Sequence, residues 1–245
     1  MKRTFAAPLA IALFALAACG SQEASNSVAA GGKVADKAAP AGTTWAETVV
    51  ATPEGGILMG NPDAPVKLIE FGSYTCPHCA AFAAESSEPL ERDYINTGKV
   101  SFEYRNYVAN PLDIAVALLA RCSGPTAFFP LSHQFFANQQ AMIEKVQAAG
   151  EAPYQSAMSA PQSERFGRLA QLAGLVDFAK ERGIPEAKAT QCLADMQTAE
   201  MMAKVVERDT PKYEIKGTPS IIMNGTTLEV TTWPALVEKL KEAGV

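Results

Sequence analysis

The order of apolar and polar positions predicts a strand, a helix and a second strand early in the chain. Residues 66–71 form a mostly apolar run without clear alternation, which is typical of a strand covered on both faces. A helix is predicted over 77–97, with a kink near Pro89, and a strand over 100–107. This order implies parallel pairing through a right-handed crossover. Residues 57–59 are a candidate for a short edge strand.

The rest of the chain predicts a helical block followed by a β-hairpin and a last helix. Between about 111 and 207 there is no strand pattern, and helices are predicted over 112–121, 126–145, 163–182 and 185–207. Strand residues return at 220–223, and the Asn-Gly pair that follows predicts an antiparallel strand over 226–231. A helix is predicted over 234–243. The predicted architecture is therefore α/β, in the order βαβ, helical block, ββα.

The N-terminus carries the features of an export signal. Met1-Lys2-Arg3 is basic, and an apolar stretch from about Phe5 to Ala18 follows, too short to span a bilayer as a stable helix. Leu16-Ala17-Ala18-Cys19 resembles the lipobox of bacterial lipoproteins, in which the signal is cut before a cysteine that carries lipid. We therefore expect a signal peptide over 1–18 and a lipid on Cys19, which would hold the protein on the periplasmic side of the cell envelope. The alternatives are an ordinary signal cleaved nearby and an uncleaved anchor.

Composition separates a tether from a folded domain. Residues 19–45 are rich in Ala, Gly, Ser and Lys, so they bury little surface and are predicted to be a flexible tether. Residues 46–245 are predicted to form the domain, with the helical insertion at about 111–207. The net charge of −5 would become −7 once a cleaved signal removes Lys2 and Arg3, which makes nucleic acid a poor partner.

The cysteines point to thiol chemistry. Of five cysteines, Cys19 is assigned to lipid, which leaves an even number. Cys76-Pro77-His78-Cys79 follows a predicted strand and a turn and begins a predicted helix, a context that indicates a redox site. A structural disulfide or half of a metal site are the alternatives, but no second such pair and no His cluster is present to bind metal. No cofactor is expected.

The expected roles of the two thiols differ. Cys76 would lie where unsatisfied backbone N–H groups and the helix dipole stabilise a thiolate, so it is the predicted nucleophile. His78 can add a hydrogen bond or positive charge, and Cys79 would resolve the mixed disulfide.

These motifs resemble the DsbA-like thiol–disulfide oxidoreductases of the thioredoxin superfamily. The resemblance covers about 56–243 and rests on the Asn-Pro-Asp-Ala-Pro turn at 61–65, on the Cys76–Cys79 motif, on the helical insertion and on Gly-Thr-Pro at 217–219. It implies a thioredoxin-like fold and a cis-proline at Pro219 whose loop, with Thr218, faces the motif and binds an extended substrate. It also implies that Glu70 is a buried acid under the thiols. The alternative for Glu70 is a solvent-facing strand residue.

Structural rather than catalytic roles are expected for two further groups. Cys122 and Cys192 lie on separate predicted helices and are expected to form a structural disulfide, the alternatives being two inert thiols or a second redox pair. His133 lies among four phenylalanines and is expected to be a packed helix residue.

The leading functional hypothesis is an envelope enzyme that donates disulfides to cysteine-containing protein substrates. Thr218 stands where the best-known oxidase of the family has valine, so a reductase or isomerase of the same fold is the first alternative. A non-enzymatic lipoprotein that binds copper or senses redox state is the second. We expect a membrane redox partner, and a monomer because no dimerisation module is evident.

Overall fold

The structure is a computed structural model that describes Met1 and residues 34–245. The predicted signal peptide, Cys19 and the first part of the predicted tether lie outside the described residues. The described chain contains a six-stranded sheet in the spatial order β1-β2-β4-β3-β5-β6. The strands are β1 (Val49–Ala51), β2 (Ile57–Gly60), β3 (Val66–Gly72), β4 (Val100–Asn106), β5 (Ser220–Met223) and β6 (Thr226–Leu228).

Ten α-helices accompany this sheet in the described residues. They are α1 (Pro77–Leu90), α2 (Pro111–Arg121), α3 (Pro125–Ala137), α4 (Gln139–Ala149), α5 (Glu151–Met158), α6 (Gln162–Leu172), α7 (Leu175–Lys180), α8 (Glu186–Leu193), α9 (Met196–Lys212) and α10 (Trp233–Glu242). Helix α1 connects β3 to β4, which pair in parallel from Val66↔Val100 to Gly72↔Asn106. Helices α2 to α9 then separate β4 from the β5–β6 hairpin. The predicted α/β order with an all-helical insertion is confirmed.

Several predicted boundaries change. The strand at 57–60 is not an edge strand, because β1 pairs with its outer side. The helix predicted over 126–145 is two helices that meet at Asn138. The run predicted over 185–207 is divided near Asp195, whose carboxylate caps α9 by accepting a hydrogen bond from the Thr198 N–H. In place of a simple kink at Pro89, α1 ends at Leu90 and continues as a π-helical turn.

The predicted tether also needs correction, because its last part packs on the domain. Trp45 is buried, and its indole Nε1 donates a hydrogen bond to the Lys37 carbonyl at 2.6 Å. The Lys37 N–H donates in turn to the Thr97 carbonyl, and the Val34 N–H to the Gly244 carbonyl. Burying the large apolar surface of Trp45 stabilises this packing. Together with the hydrogen bonds of Val34 and Lys37, it makes residues 34–45 part of the folded unit.

A buried ion cluster fastens the end of the insertion to the sheet. The Arg105 guanidinium on β4 lies 2.8 Å from a Glu103 carboxylate oxygen and 2.8 Å from an Asp209 carboxylate oxygen on α9. All three side chains are almost fully buried. Removing one partner of such a cluster leaves an uncompensated buried charge. The cluster therefore holds α9, the last helix before β5, against β4.

Candidate active site

The first cysteine of the motif lies at the N-terminus of α1. Cys76 is the N-cap residue, Pro77 occupies the first helical position, and the Cys76 side chain is half-buried. Proline suits this position because its missing N–H would have no helical partner. Pro77 and His78 are exposed. Both cysteines of the motif are free thiols in this structure.

Hydrogen bonding at the helix N-terminus favours the Cys76 thiolate. Partial burial alone would raise the pKa of Cys76, but hydrogen bonds to its sulfur lower it below the ordinary thiol value. They involve Thr218, the backbone and thiol of Cys79, and the backbone N–H of His78. By contrast, the Thr218 carbonyl, 3.2 Å from Cys76 Sγ, accepts a hydrogen bond from the protonated thiol, and this contact favours the thiol over the thiolate. The balance predicts a more acidic and therefore more reactive thiol.

Cys79 is the opposite case. It is fully buried in the first turn of α1, and its sulfur is 3.5 Å from the Ser73 backbone N–H. Burial, followed by the negative charge of Glu70, raises its pKa well above the ordinary value. The two thiols of one motif are thus driven apart in acidity, a division that distinguishes an attacking sulfur from a resolving one.

Glu70 lies beneath the motif with no ion-pair partner among the described residues. It is 3% exposed, and burial, with a smaller contribution from Cys76, raises its pKa to about 8. One of its oxygens, Oε1, has no hydrogen-bond partner in the described part of the chain, and neither has the buried hydroxyl of Tyr104. Both atoms point to the space beside Gly72. A Cβ at that position would lie 2.6 Å from the Tyr104 hydroxyl and 2.9 Å from Glu70 Oε1.

The loop before β5 completes the site. The Thr218–Pro219 peptide bond is cis, and the Thr218 carbonyl contact to Cys76 joins segments 142 positions apart in the sequence. An open groove runs beside this loop, between Lys216 and the segment after β6. The structure therefore brings Glu70, Cys76, Cys79 and the Thr218–Pro219 loop into one site.

Two residues of the insertion hold the loop before Cys76, and the sequence patterns did not reveal them. The Gln139 side-chain N–H donates at 2.9 Å to the carbonyls of both Tyr74 and Cys76. The Asp113 carboxylate accepts from the Tyr74 N–H at 2.7 Å and from the Ala109 N–H at 3.0 Å. Burial raises the pKa of Asp113 to about 6 despite these bonds. The one available signal was the Asn-Pro pair that begins α2, which places Asp113 in its first turn.

The remaining predicted residues lie away from the thiols. A disulfide joins Cys122, at the end of α2, to Cys192 on α8, with an S–S distance of 2.07 Å. His133 is half-buried on α3, and burial lowers its pKa. From Val34 onward, no helix combines the length and apolar character needed to cross a membrane. Among the same residues, no group of three or more His, Cys, Asp or Glu side chains is placed to bind a metal ion.

Comparison with known sequences finds matches over most of the chain. Residues 52–242 match the family model described as Thioredoxin. A Rickettsia bellii protein, provisionally named as a protein-disulfide oxidoreductase, is 27% identical over 176 residues, which are 72% of this chain and 60% of that protein. The match thus spans about three fifths of the length of this relative.

Solved structures give the same fold. The crystal structure of a protein-disulfide isomerase from Novosphingobium aromaticivorans is 32% identical, with a TM-score of 0.73 over 76% of this chain and 96% of that one. Wolbachia pipientis α-DsbA1 is 18% identical, with a TM-score of 0.63 over 82% of this chain and 96% of that one, and shows a shared fold. The predicted thioredoxin-like fold and the resemblance to DsbA-like proteins are confirmed.

Proposed function

Because the chain belongs to the thioredoxin family, we propose that it is a thiol–disulfide oxidoreductase that donates disulfides to cysteine-containing protein substrates. The observation that carries this proposal is the asymmetry of the two thiols. Cys76 is half-exposed with a lowered pKa, whereas Cys79 is buried with a raised pKa. An accessible leaving thiolate beside a protected resolving thiol is the arrangement that disulfide exchange requires.

The proposed reaction begins with the Cys76–Cys79 disulfide. A substrate thiolate attacks Cys76 Sγ, the electron pair of the S–S bond passes to Cys79, and Cys79 takes a proton from the neutral Glu70 carboxyl. A second substrate thiolate then attacks the substrate sulfur of the mixed disulfide. Cys76 leaves as a thiolate, and the substrate gains a disulfide while the enzyme is reduced to the dithiol. The Glu70 pKa of about 8 suits it to hold this proton near neutral pH.

Stabilisation of the Cys76 thiolate favours donation. A low-pKa thiol leaves faster, and stabilising the reduced form makes the disulfide more oxidising. Each unit by which the pKa falls is worth about 1.4 kcal/mol, or about 30 mV for this two-electron couple. Reduction of a substrate disulfide is the reverse reaction at the same site, and isomerisation uses the site without net oxidation or reduction. Thr218, at the position where the best-known oxidase has valine, is the reason to keep both as alternatives.

The loop at Thr218–Pro219 and its groove are the proposed substrate-binding surface. Because the groove runs along the end of the sheet beside β5 and β6, an extended peptide could bind there by strand addition next to Cys76. We further propose a monomer on the periplasmic side of the cell envelope, attached through lipid on Cys19. There a membrane partner would reoxidise the dithiol after each cycle.

Two measurements test this function. In intact cells, trapping the thiols with an alkylating agent is expected to find Cys76–Cys79 oxidised, and the purified chain is expected to restore activity to reduced ribonuclease. A Cys76→Ser variant should be inactive, whereas the Cys122→Ala/Cys192→Ala double variant should retain activity. A reduced pair in cells would instead support a reductase. A stable copper complex without activity on ribonuclease would refute enzymatic exchange.

A further inference from the structure

The last two strands of the sheet separate beside the reactive cysteine. The pairing of β5 with β6 ends at Ile221↔Leu228. Continuing in the same register would bring Pro219 opposite Val230, but proline has no N–H with which to extend the ladder. Beyond this point the two segments are the walls of the open groove beside the Thr218–Pro219 loop, which has a volume of about 520 Å³.

The two walls of the groove are not joined to each other by their main chains. One wall is the loop before β5, which includes Lys216 and Thr218, and the other is the segment after β6, which includes Glu229 and Thr231. In the part of the chain that the structure describes, no hydrogen bond between backbone groups connects 229–231 to this loop. Unpaired backbone groups at the edge of a sheet suit an extended peptide, which can add there as a further strand.

Two charges of opposite sign lie on the two sides of Thr218 along the groove. Thr218 marks the reactive point, because its carbonyl is 3.2 Å from Cys76 Sγ. Lys216 lies two residues before Thr218. In the continued register Glu229 lies opposite Ser220, which is two residues after Thr218. At about 3.3 Å per extended residue, each charged residue is therefore about 7 Å along the groove from Thr218.

Neither charge is neutralised by another side chain among residues 34–245. Lys216 and Glu229 are both exposed, and neither takes part in a salt bridge there. Glu214 also lines the groove, but it stands four residues before Thr218, so Lys216 is the nearer charge on that side. Unpaired charges in a groove favour a peptide whose own charges are complementary.

We propose that Lys216 and Glu229 select substrate segments with a basic residue two positions before the cysteine and an acidic residue two positions after it. The inference rests on the disulfide exchange proposed above and names the class of segment that enters the site. A peptide antiparallel to 216–220, with its cysteine beside Thr218, has its second following residue beside Lys216 and its second preceding residue beside Glu229. Antiparallel pairing is the more stable arrangement per residue, and β5 already pairs in this way with β3 and β6.

Two peptides of identical composition test this selection. Each has one cysteine, in the sequence Lys-Thr-Cys-Thr-Glu or Glu-Thr-Cys-Thr-Lys, between the same neutral flanks. With the oxidised full-length chain, one peptide thiolate forms the mixed disulfide with Cys76 and a second releases it as a peptide disulfide. Loss of the Cys76–Cys79 disulfide, followed by acid quench and alkylation, gives the rate. Each rate is divided by the rate of the same peptide with oxidised glutathione, which corrects for intrinsic thiol reactivity.

The wild type is expected to react with the first peptide about fivefold faster than with the second, a size that two exposed ion pairs allow. In roughly 1 M salt, where the Debye length is about 3 Å, the preference should fall below about twofold. Equal rates at low salt, or a preference for the second peptide, would overturn the proposal.

Exchanging the two charges in the protein provides the control. The double variant Lys216→Glu/Glu229→Lys keeps the composition and net charge of the groove, so it should prefer the second peptide by about the same factor. The matched variant Glu200→Lys/Lys204→Glu exchanges two exposed charges on α9 outside the groove and should behave like the wild type. A preference that survives the exchange at Lys216 and Glu229 would also overturn the proposal. A wild-type chain that oxidises neither the peptides nor reduced ribonuclease would instead refute the proposed function itself.

Discussion

Replacing Glu70 with glutamine should remove a stability cost that appears only as pH rises. The pKa of Glu70 is about 8 in the folded chain against 4.5 for the ordinary carboxyl. Between these values the unfolded chain releases a proton that the folded chain retains, so the stability present below pH 4.5 is lost as pH rises towards 8. At about 1.4 kcal/mol per unit, the loss is of the order of 5 kcal/mol by pH 8 and about 3 kcal/mol at pH 7.

Urea denaturation of the reduced protein between pH 4.5 and 8 would measure this cost as the difference in unfolding free energy between Glu70→Gln and wild type. The difference should be small at pH 4.5 and grow in favour of the variant as pH rises. Ionisation of Cys76 contributes to both proteins and largely cancels in the difference. Glu88→Gln, an exposed change on α1, is the control and should give a flat difference. A difference for Glu70→Gln that changes by less than about 1 kcal/mol over this range would refute the argument.

Two other changes test the support of the site. Gln139→Leu removes both hydrogen bonds to the carbonyls of Tyr74 and Cys76, so it should cost about 1–3 kcal/mol in urea denaturation and shift the alkylation pKa of Cys76. Gln140→Leu, an exposed change beside it, should do neither, and equal behaviour of the two variants would contradict the proposed positioning role. The Cys122→Ala/Cys192→Ala variant opens a disulfide that spans 70 positions, so it should lose about 2–4 kcal/mol of unfolding free energy; an unchanged urea midpoint would show that the disulfide does not stabilise the domain.

The elements that could be predicted are those with local signals. The apolar run of β3, the cysteine spacing at the start of α1 and the Asn224-Gly225 hairpin each depend on neighbouring residues, and the structure contains all three. β1 was missed because three residues are too few to show alternation. The tether boundary was misplaced because the partners of Trp45 lie at Lys37 and in the core.

The support of the site could not be predicted because it depends on long-range contacts. Gln139 reaches the carbonyls of Tyr74 and Cys76 across more than 60 positions of sequence. Nothing in the neighbours of a glutamine at the start of a helix indicates such a contact. The raised pKa of Glu70 also depends on long-range contacts, because the carboxyl is buried only when the sheet and α1 enclose it.

The space beside Gly72 has a consequence for how substitutions are tolerated around the thiols. Gly72 does not have a positive φ, so its backbone could accept any residue, but even one methyl group would collide with the Tyr104 hydroxyl and Glu70 Oε1. Gly217, beside the cis peptide, has no atom within 4 Å of a Cβ position. Saturation mutagenesis should therefore leave buried Gly72 nearly invariant and Gly217, in the loop before β5, variable.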